Sequence, residues 1–199
     1  SMRTSESGLM VHPREELTLT LVGDIHAVSV AVALVQLART APLPSAVVSA
    51  DAALQRGLCT ADDLSDGLDA CSGNRLRRRL GRFLEAVDGA AESVGESRSR
   101  LILSAAGLHV TSQVEIYDGT EFVARADLLV GARVILEFDG ALKYADDPSG
   151  LSLFKEKLRE DRLRALGFVV VRVSWADLTN PARLLARVYA ALAAAERSA

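Results

Sequence analysis

The sequence predicts an α/β protein, in which a mixed central sheet flanked by helices follows a mostly helical N-terminal region. Two observations carry this prediction. Residues 1–92 hold helix-length apolar segments divided by prolines and glycines, whereas residues 93–199 alternate helix and strand patterns. The small, polar stretch over 88–97 separates the two patterns. The chain is therefore divided into two predicted domains, 1–92 and 93–199.

The first predicted domain contains a short strand and four helices. The strand is expected over 16–22, and the helices over 26–39, 45–56, 61–70 and 74–87. Pro42 and Pro44 mark the end of the first helix, because proline removes a backbone donor. Thr60, followed three residues later by Asp63, is a helix-capping pattern.

The second predicted domain has the element order α-β-β-β-α-β-α. Its elements are a helix over 94–106, strands over 112–117, 122–130 and 133–139, a helix over 151–166, a strand over 168–174 and a helix to about 196. Asp118-Gly119 and Gly131-Ala132 are tight-turn signals that predict a β-meander. The apolar run FVVVRVS is typical of a strand at the sheet centre that is covered on both faces.

Composition narrows the function classes. The net charge of the 199 residues is −3, so a basic surface for nucleic acid must be local. No apolar run reaches the roughly 18 residues of a membrane helix, and no signal peptide is apparent, so a cytoplasmic location is expected. Cys59 and Cys71 have no CxxC or histidine partner nearby; a zinc site, a disulfide and idle thiols all remain open.

The segment VILEFDGALKY over 134–144 is the most informative for chemistry. Side chains alternate along a strand, so Glu137 and Asp139 share one face at the end of an apolar run. Asp127 lies on the preceding predicted strand. Carboxylates on apolar strands are costly unless they are paired, hydrogen-bonded or metal-bound. Neighbouring strands that bring acids to one edge indicate a site for a hard cation such as Mg²⁺.

Five segments in order resemble the PD-(D/E)XK nuclease superfamily. They are ESRSRLILSAAGL, SQVEIYDG, ARADLLV, VILEFDGALKY and EKLREDRLRALGFVVVRVSWADL, and together they cover roughly residues 93–196. The sequence is most similar to the branch related to the very-short-patch-repair endonuclease. This resemblance implies a restriction-endonuclease-like core.

The resemblance also implies roles for the acids. Asp127 matches the metal-binding aspartate, Glu137 the acid of the (D/E)XK motif, and Glu96 the acid of the first helix. These three would bind Mg²⁺ or Mn²⁺. Asp139 stands where the family motif has lysine, although the compared branch often has the E-x-D-G form.

The missing lysine makes other cations candidates for the catalytic site. Lys143 and Lys157 are the candidates for supplying the positive charge. Arg159 matches a helix arginine that recurs in similar domains and is a candidate contact to nucleic acid. Gln113, on a strand that borders the site, is a weaker candidate.

Each site residue also has a structural interpretation. Glu96 follows Ser93 at capping-box spacing and would then only close a helix start. Asp127 would pair with Arg125 or with a basic helix. The acid-base mixture over 155–164 is typical of a solvated, salt-bridged helix face. Glu137 with Asp139 would form a solvated strand end, and Lys143 would be an ordinary surface lysine.

An arginine group in the first domain is the best local basic patch. Its members share one helix face at spacings i, i+3, i+4 and i+7: Arg75, Arg78, Arg79 and Arg82. Phosphate contacts by such a face give affinity without sequence selection. The alternative is a solvated face opposite Leu76, Leu80 and Phe83.

The sequence therefore predicts a metal-dependent DNA endonuclease that acts in DNA repair or defence. The alternative is a DNA-binding regulator or antitoxin-like protein whose nuclease fold is inactive. DNA is the expected partner in both cases, with no membrane association. A homodimer, or an N-terminal winged-helix segment lost to truncation, is a further expectation.

Overall fold

The computed structural model describes residues 5–6, 9–10, 19–71, 77–140 and 151–197. The first domain begins with two short antiparallel hairpins, β1 (Ser5–Glu6) with β2 (Leu9–Met10) and β3 (Thr20–Val22) with β4 (Ile25–Ala27). Four helices follow: α1 (Val30–Thr40), α2 (Leu43–Gln55), α3 (Ala61–Cys71) and α4 (Arg77–Ala86).

The helix starts follow from capping residues. Ser29 Oγ accepts the Val32 N–H at 3.3 Å, so α1 begins after β4 and not at residue 26 as predicted. Asp63 Oδ2 accepts the Thr60 N–H at 2.8 Å, and Thr60 Oγ1 accepts the Asp63 N–H at 3.1 Å, which confirms the predicted cap. Pro44 lies in the first turn of α2, where no N–H is needed.

One apolar cluster holds the four helices together. Its largest fully buried side chains are Val35, Val47, Leu64, Leu80 and Phe83. Leu80 and Phe83 therefore face inward, as the periodicity of α4 predicts. Removing one such side chain would cost about 2–5 kcal/mol.

The second domain has the predicted order with one additional short helix. Its elements are α5 (Val94–Ala105), β5 (Val110–Asp118), β6 (Glu121–Val130), β7 (Val134–Phe138), α6 (Leu151–Ala165), β8 (Val169–Val173), α7 (Trp175–Leu178) and α8 (Pro181–Arg197). The strand order in the sheet is β5-β6-β7-β8. The first three strands are antiparallel and β8 runs parallel to β7. The mixed α/β class is thus confirmed.

The predicted turns form the meander. Gly119 and Gly131 have φ angles of 61° and 60°, in the left-handed region that glycine adopts without strain. Helix α7 was not predicted, because four residues are too few to show a helical period.

Strand β8 corrects one prediction. In the described part of the sheet it is the last strand and pairs with β7 alone, so it does not lie at the centre. Both of its faces are nevertheless covered, because α6 and α8 each pack against it. A continuous apolar run indicates that both faces of a strand are buried, but it does not indicate where the strand lies in the sheet.

Each face of the sheet has its own apolar cluster. Leu128, Leu136 and residues of α8 fill the face that α5 also covers, whereas Ala126 and Ile135 pack with α6 on the other. Ala126 and Leu128 would share a face on a regular strand. Because they lie in different clusters, the alternation of β6 is shifted by one residue at Asp127.

A polar junction links the two predicted domains. Arg100 on α5 donates to the Asp51 carboxylate on α2 at 2.8 Å and to the Ala86 carbonyl at 2.7 Å. Asp51 also accepts the Asp88 N–H at 2.7 Å. Asp88 in turn accepts the Ser112 hydroxyl at 2.6 Å. The segment around residue 88 is therefore held from both sides.

No helix in the described residues has the length and apolar character to cross a membrane.

Candidate metal centre

Two of the predicted acids, Asp127 and Glu137, lie on the neighbouring strands β6 and β7. The register pairs Leu128 with Leu136, so Asp127 and Glu137 are the next positions along the two strands. Asp127 Oδ2 accepts the Phe138 N–H at 2.8 Å. This bond fixes the Asp127 carboxylate beside the backbone that carries Glu137. The structure thus places the two residues predicted as metal ligands at neighbouring positions of adjacent strands.

Glu96 lies in the first turn of α5 and is 6% exposed. Its Oε2 atom accepts two hydrogen bonds, from the Glu92 N–H at 2.9 Å and from Gln113 Nε2 at 2.8 Å. Ser93 Oγ accepts the Glu96 N–H at 3.1 Å. The capping interpretation holds for Ser93, but the carboxylate reaches Glu92 and not the cap residue itself. Both donors use Oε2, and no described residue donates to Oε1.

Gln113 connects Glu96 to the strand that carries Asp127. The β5–β6 ladder pairs Ser112 with Leu128 and Val114 with Ala126, so Gln113 lies opposite Asp127 at an interruption of the ladder. Its φ angle is 53°, and no other non-glycine residue in the described chain has a positive φ. Sequence alone ranked Gln113 as a weaker candidate, because backbone conformation is not visible in a strand pattern.

Arg159 contacts one of the predicted acids, Glu137, directly. Its Nη2 donates to Glu137 Oε1 at 2.8 Å and to Glu156 Oε1 at 2.7 Å. Burial lowers the pKa of Arg159, but hydrogen bonds and charge interactions with Glu156 and Glu137 outweigh it and raise the pKa overall. Arg172 on β8 also donates to Glu156, at 2.7 Å. Glu156 and Arg172 were not predicted, although Glu156 stands at i,i+3 from Arg159.

The predicted lysines are placed differently. Lys157 is exposed and lies two positions from Arg159 on α6, a spacing that directs the two side chains away from each other. It therefore does not share the side of α6 that meets Glu137. Lys143 lies outside the described residues and stays a prediction.

Asp139 follows β7 at the same end of the sheet. Its N–H donates to the Val173 carbonyl at 2.8 Å, which extends the parallel ladder by one position. Asp139 is half-buried and lies one residue beyond Phe138, whose N–H holds Asp127.

An aromatic pair supports the backbone of the centre. The rings of Phe138 and Trp175 are 4.9 Å apart, edge to face. A Cβ atom at Gly95 would lie 2.2 Å from the Phe138 ring, so only glycine permits this approach of α5. The glycine before Glu96 thus lets α5 pack on the residue that binds Asp127.

The donor set fits a hard divalent cation in its chemistry. Glu96, Asp127 and Glu137 offer carboxylate oxygens, which Mg²⁺ and Mn²⁺ prefer. Two of these acids are already held by hydrogen bonds through one oxygen, which is how metal-ligating carboxylates are oriented. Within the described ranges, however, no three acidic, histidine or cysteine side chains form a ready-made metal cluster.

The predicted basic face is only partly available for DNA. Arg78 and Arg82 are exposed on α4. Arg79 instead donates to the Ala38 carbonyl at 2.7 Å and to the Ala41 carbonyl, where it caps the end of α1. Arg75 lies outside the described residues.

The structure describes the side chain of one of the two cysteines, Cys59. Cys59 is a buried free thiol, and burial, followed by the charge of Asp63, raises its pKa. A protonated, buried thiol is a poor metal ligand and nucleophile. Nothing is described of the Cys71 side chain.

The chain is similar to two curated proteins from strains of Mycobacterium tuberculosis, named Uncharacterized protein MT2308 and Uncharacterized protein Rv2248. Each is 29% identical over 184 residues, which are 91% of this chain and 67% of the relative. No family model matches the sequence, and no solved structure matches it. An alignment of this length spans both predicted domains.

Proposed function

We propose that the second domain is a metal-dependent nuclease with a restriction-endonuclease-like core, which hydrolyses phosphodiester bonds in DNA. The observation that carries this proposal is the hydrogen bond from the Phe138 N–H to Asp127, which sets Asp127 beside Glu137. Glu96 binds Gln113, which lies opposite Asp127 on the neighbouring strand. Three acids from α5, β6 and β7 are the set that the resemblance to PD-(D/E)XK nucleases implies.

The proposal assigns each of these residues a role in phosphodiester hydrolysis. Glu96, Asp127 and Glu137 supply oxygen ligands. A divalent cation, when bound, activates a water molecule and neutralises the charge of the phosphate. Arg159 supplies a fixed positive charge on the α6 side of Glu137 and takes the place of the motif lysine. Arg78 and Arg82 contact the DNA backbone away from the acids.

A cleavage assay tests the proposal. Wild-type protein is incubated with supercoiled plasmid and with single-stranded DNA in Mn²⁺ or Mg²⁺. Glu137→Gln and Asp127→Asn are each expected to lower the rate roughly 100-fold or more, because a lost ligand removes several kcal/mol of charge stabilisation. Arg159→Met should lower it less, by roughly 10-fold, as expected when a positive charge beside the acids is lost.

Matched variants separate the site from general effects. Glu85→Gln changes an exposed acid on α4, and Arg164→Met an exposed arginine on the same helix as Arg159; both should cleave like wild type. If cleavage persists in Glu137→Gln, it comes from another site or from a contaminant. If wild type cleaves neither DNA with either metal, the nuclease proposal fails.

The second candidate function is a DNA-binding regulator with an inactive nuclease fold. Two observations favour it: Asp139 stands at the motif lysine position, and Glu137 is already ion-paired with Arg159 at 2.8 Å. This candidate predicts DNA binding without cleavage. Arg78→Glu with Arg82→Glu should then weaken binding and lower the salt dependence, whereas Glu137→Gln should change neither.

A further inference from the structure

The backbone of Gln113 has a conformation that glutamine rarely adopts. Its φ angle is 53°, and every other positive φ in the described chain belongs to glycine. A left-handed conformation is strained for a residue with a long side chain, and such strain clusters at functional sites. A glycine at this position would remove the strain, so the retained glutamine side chain needs an explanation.

The explanation lies in what the side chain binds. Gln113 Nε2 donates to Glu96 Oε2 at 2.8 Å, and Glu96 is nearly buried. The Glu92 N–H donates to the same oxygen at 2.9 Å. With two donors on Oε2, the carboxylate is fixed in rotation, and Oε1 receives no donor from the described residues. Position 113 is also opposite Asp127, where the ladder is interrupted.

We propose that Gln113 is a positioning residue, whose strained backbone holds its amide against Glu96 so that Glu96 presents its second oxygen to a divalent cation. This inference rests on the proposed function, because it assigns Gln113 to the same metal centre. Residues that orient ligating carboxylates typically change metal affinity by roughly 10- to 100-fold when they are lost. Gln113 does not touch the reacting atoms.

Two variants separate positioning from a structural role. Gln113→Gly and Gln113→Ala both remove the amide, but glycine accepts a positive φ and alanine does not. Mn²⁺ affinity is measured by calorimetry, and Tm is measured without metal. Positioning predicts a loss of affinity of roughly 10- to 100-fold in both variants. The Tm of the glycine variant should lie above that of the alanine variant, although both bind metal equally weakly.

The outcomes are distinct. An unchanged Mn²⁺ affinity in Gln113→Gly would overturn the inference, as would affinity that follows Tm and is lost only in Gln113→Ala. If the alanine variant does not fold, the glycine variant alone decides. Gln113→Asn, which tolerates this backbone but has a shorter amide, should lie between wild type and glycine in affinity. A wild-type protein that binds no Mn²⁺ would instead overturn the proposed function, and the inference with it.

Discussion

Two arginine–carboxylate groups of the molecule use the same residue types in different surroundings. At the junction of the domains, Arg100 is 7% exposed and pairs with Asp51, which is 1% exposed. At the β5–β6 hairpin, the Arg162 side chain is 33% exposed and pairs with Glu121 and Asp118. Burial alone raises the pKa of Asp51 strongly enough to outweigh the Asp88 N–H and Arg100.

From this difference we expect burial, and not the number of contacts, to set the energy of each charged pair. Exposed pairs contribute about 0–1 kcal/mol because water and salt screen them. Removing one partner of a buried pair leaves a charge without compensation and costs about 3–5 kcal/mol. The Glu137–Arg159 pair lies between these limits, with side chains 16% and 28% exposed.

The largest expected loss of stability comes from breaking the buried Arg100–Asp51 pair. Arg100→Met should lower the free energy of unfolding by about 3–5 kcal/mol, because Asp51 keeps a buried charge. Arg162→Met, on α6 beside the β5–β6 hairpin, should lower it by about 0–1 kcal/mol. Urea unfolding at pH 7 measures both. Equal effects of the two variants would contradict the comparison.

A double variant sharpens this result. Asp51→Leu combined with Arg100→Met removes both charges, so it should recover most of the stability lost in Arg100→Met alone. If the double variant is as unstable as the single one, the loss comes from packing and not from the uncompensated charge.

The next effect concerns the approach of α5 to the sheet. Gly95→Ala places a Cβ against the Phe138 ring and should cost about 1–3 kcal/mol through overpacking. Trp175, the single tryptophan of the chain, contacts that ring, so its fluorescence should shift as well. Gly81→Ala on α4 meets no atom within 4 Å and should be stabilising by about 0.5–1 kcal/mol. A neutral Gly95→Ala would show that α5 packs less closely than described.

Much of the fold was predictable because its signals are local. The Thr60–Asp63 cap, the glycine turns at Gly119 and Gly131, and the helical spacing around Leu80 each act within a few residues. The alternation in VILEFDGALKY likewise placed Glu137 on the face of β7 away from Leu136, and Leu136 and Ile135 do lie in different clusters. The mixed sheet and the order of its elements followed from these signals.

The other contacts of the fold and of the candidate centre join residues far apart in the sequence, and no local pattern encodes them. Arg100 and Asp51 are 49 residues apart, and Arg159 and Glu137 are 22 apart. Arg79 binds carbonyls 41 and 38 residues away, although its spacing on α4 is that of an exposed face. Periodicity identifies which side of an element is buried, but it does not identify the partner on another element.

The smallest expected effect is pH-dependent and concerns Asp177 at the start of α7. Burial raises the pKa of Asp177, but hydrogen bonds from Ser174 and the charge of Arg187 outweigh it and hold the pKa below its ordinary value of 3.8. The folded protein therefore favours the ionised carboxylate, and this stabilisation is present above pH 3.8 and is lost as the pH falls through the lower, folded-state pKa. Asp177→Asn should lose about 1 kcal/mol at pH 7, as expected for a helix cap. The difference from wild type in the free energy of unfolding, measured in urea, should shrink near pH 3. The control is Asp62→Asn, an exposed acid on α3, which should stay within about 0.5 kcal/mol of wild type at both pH values. A difference that is the same at pH 7 and pH 3 would show that the Asp177 charge contributes nothing, and that an uncharged side chain caps α7 equally well.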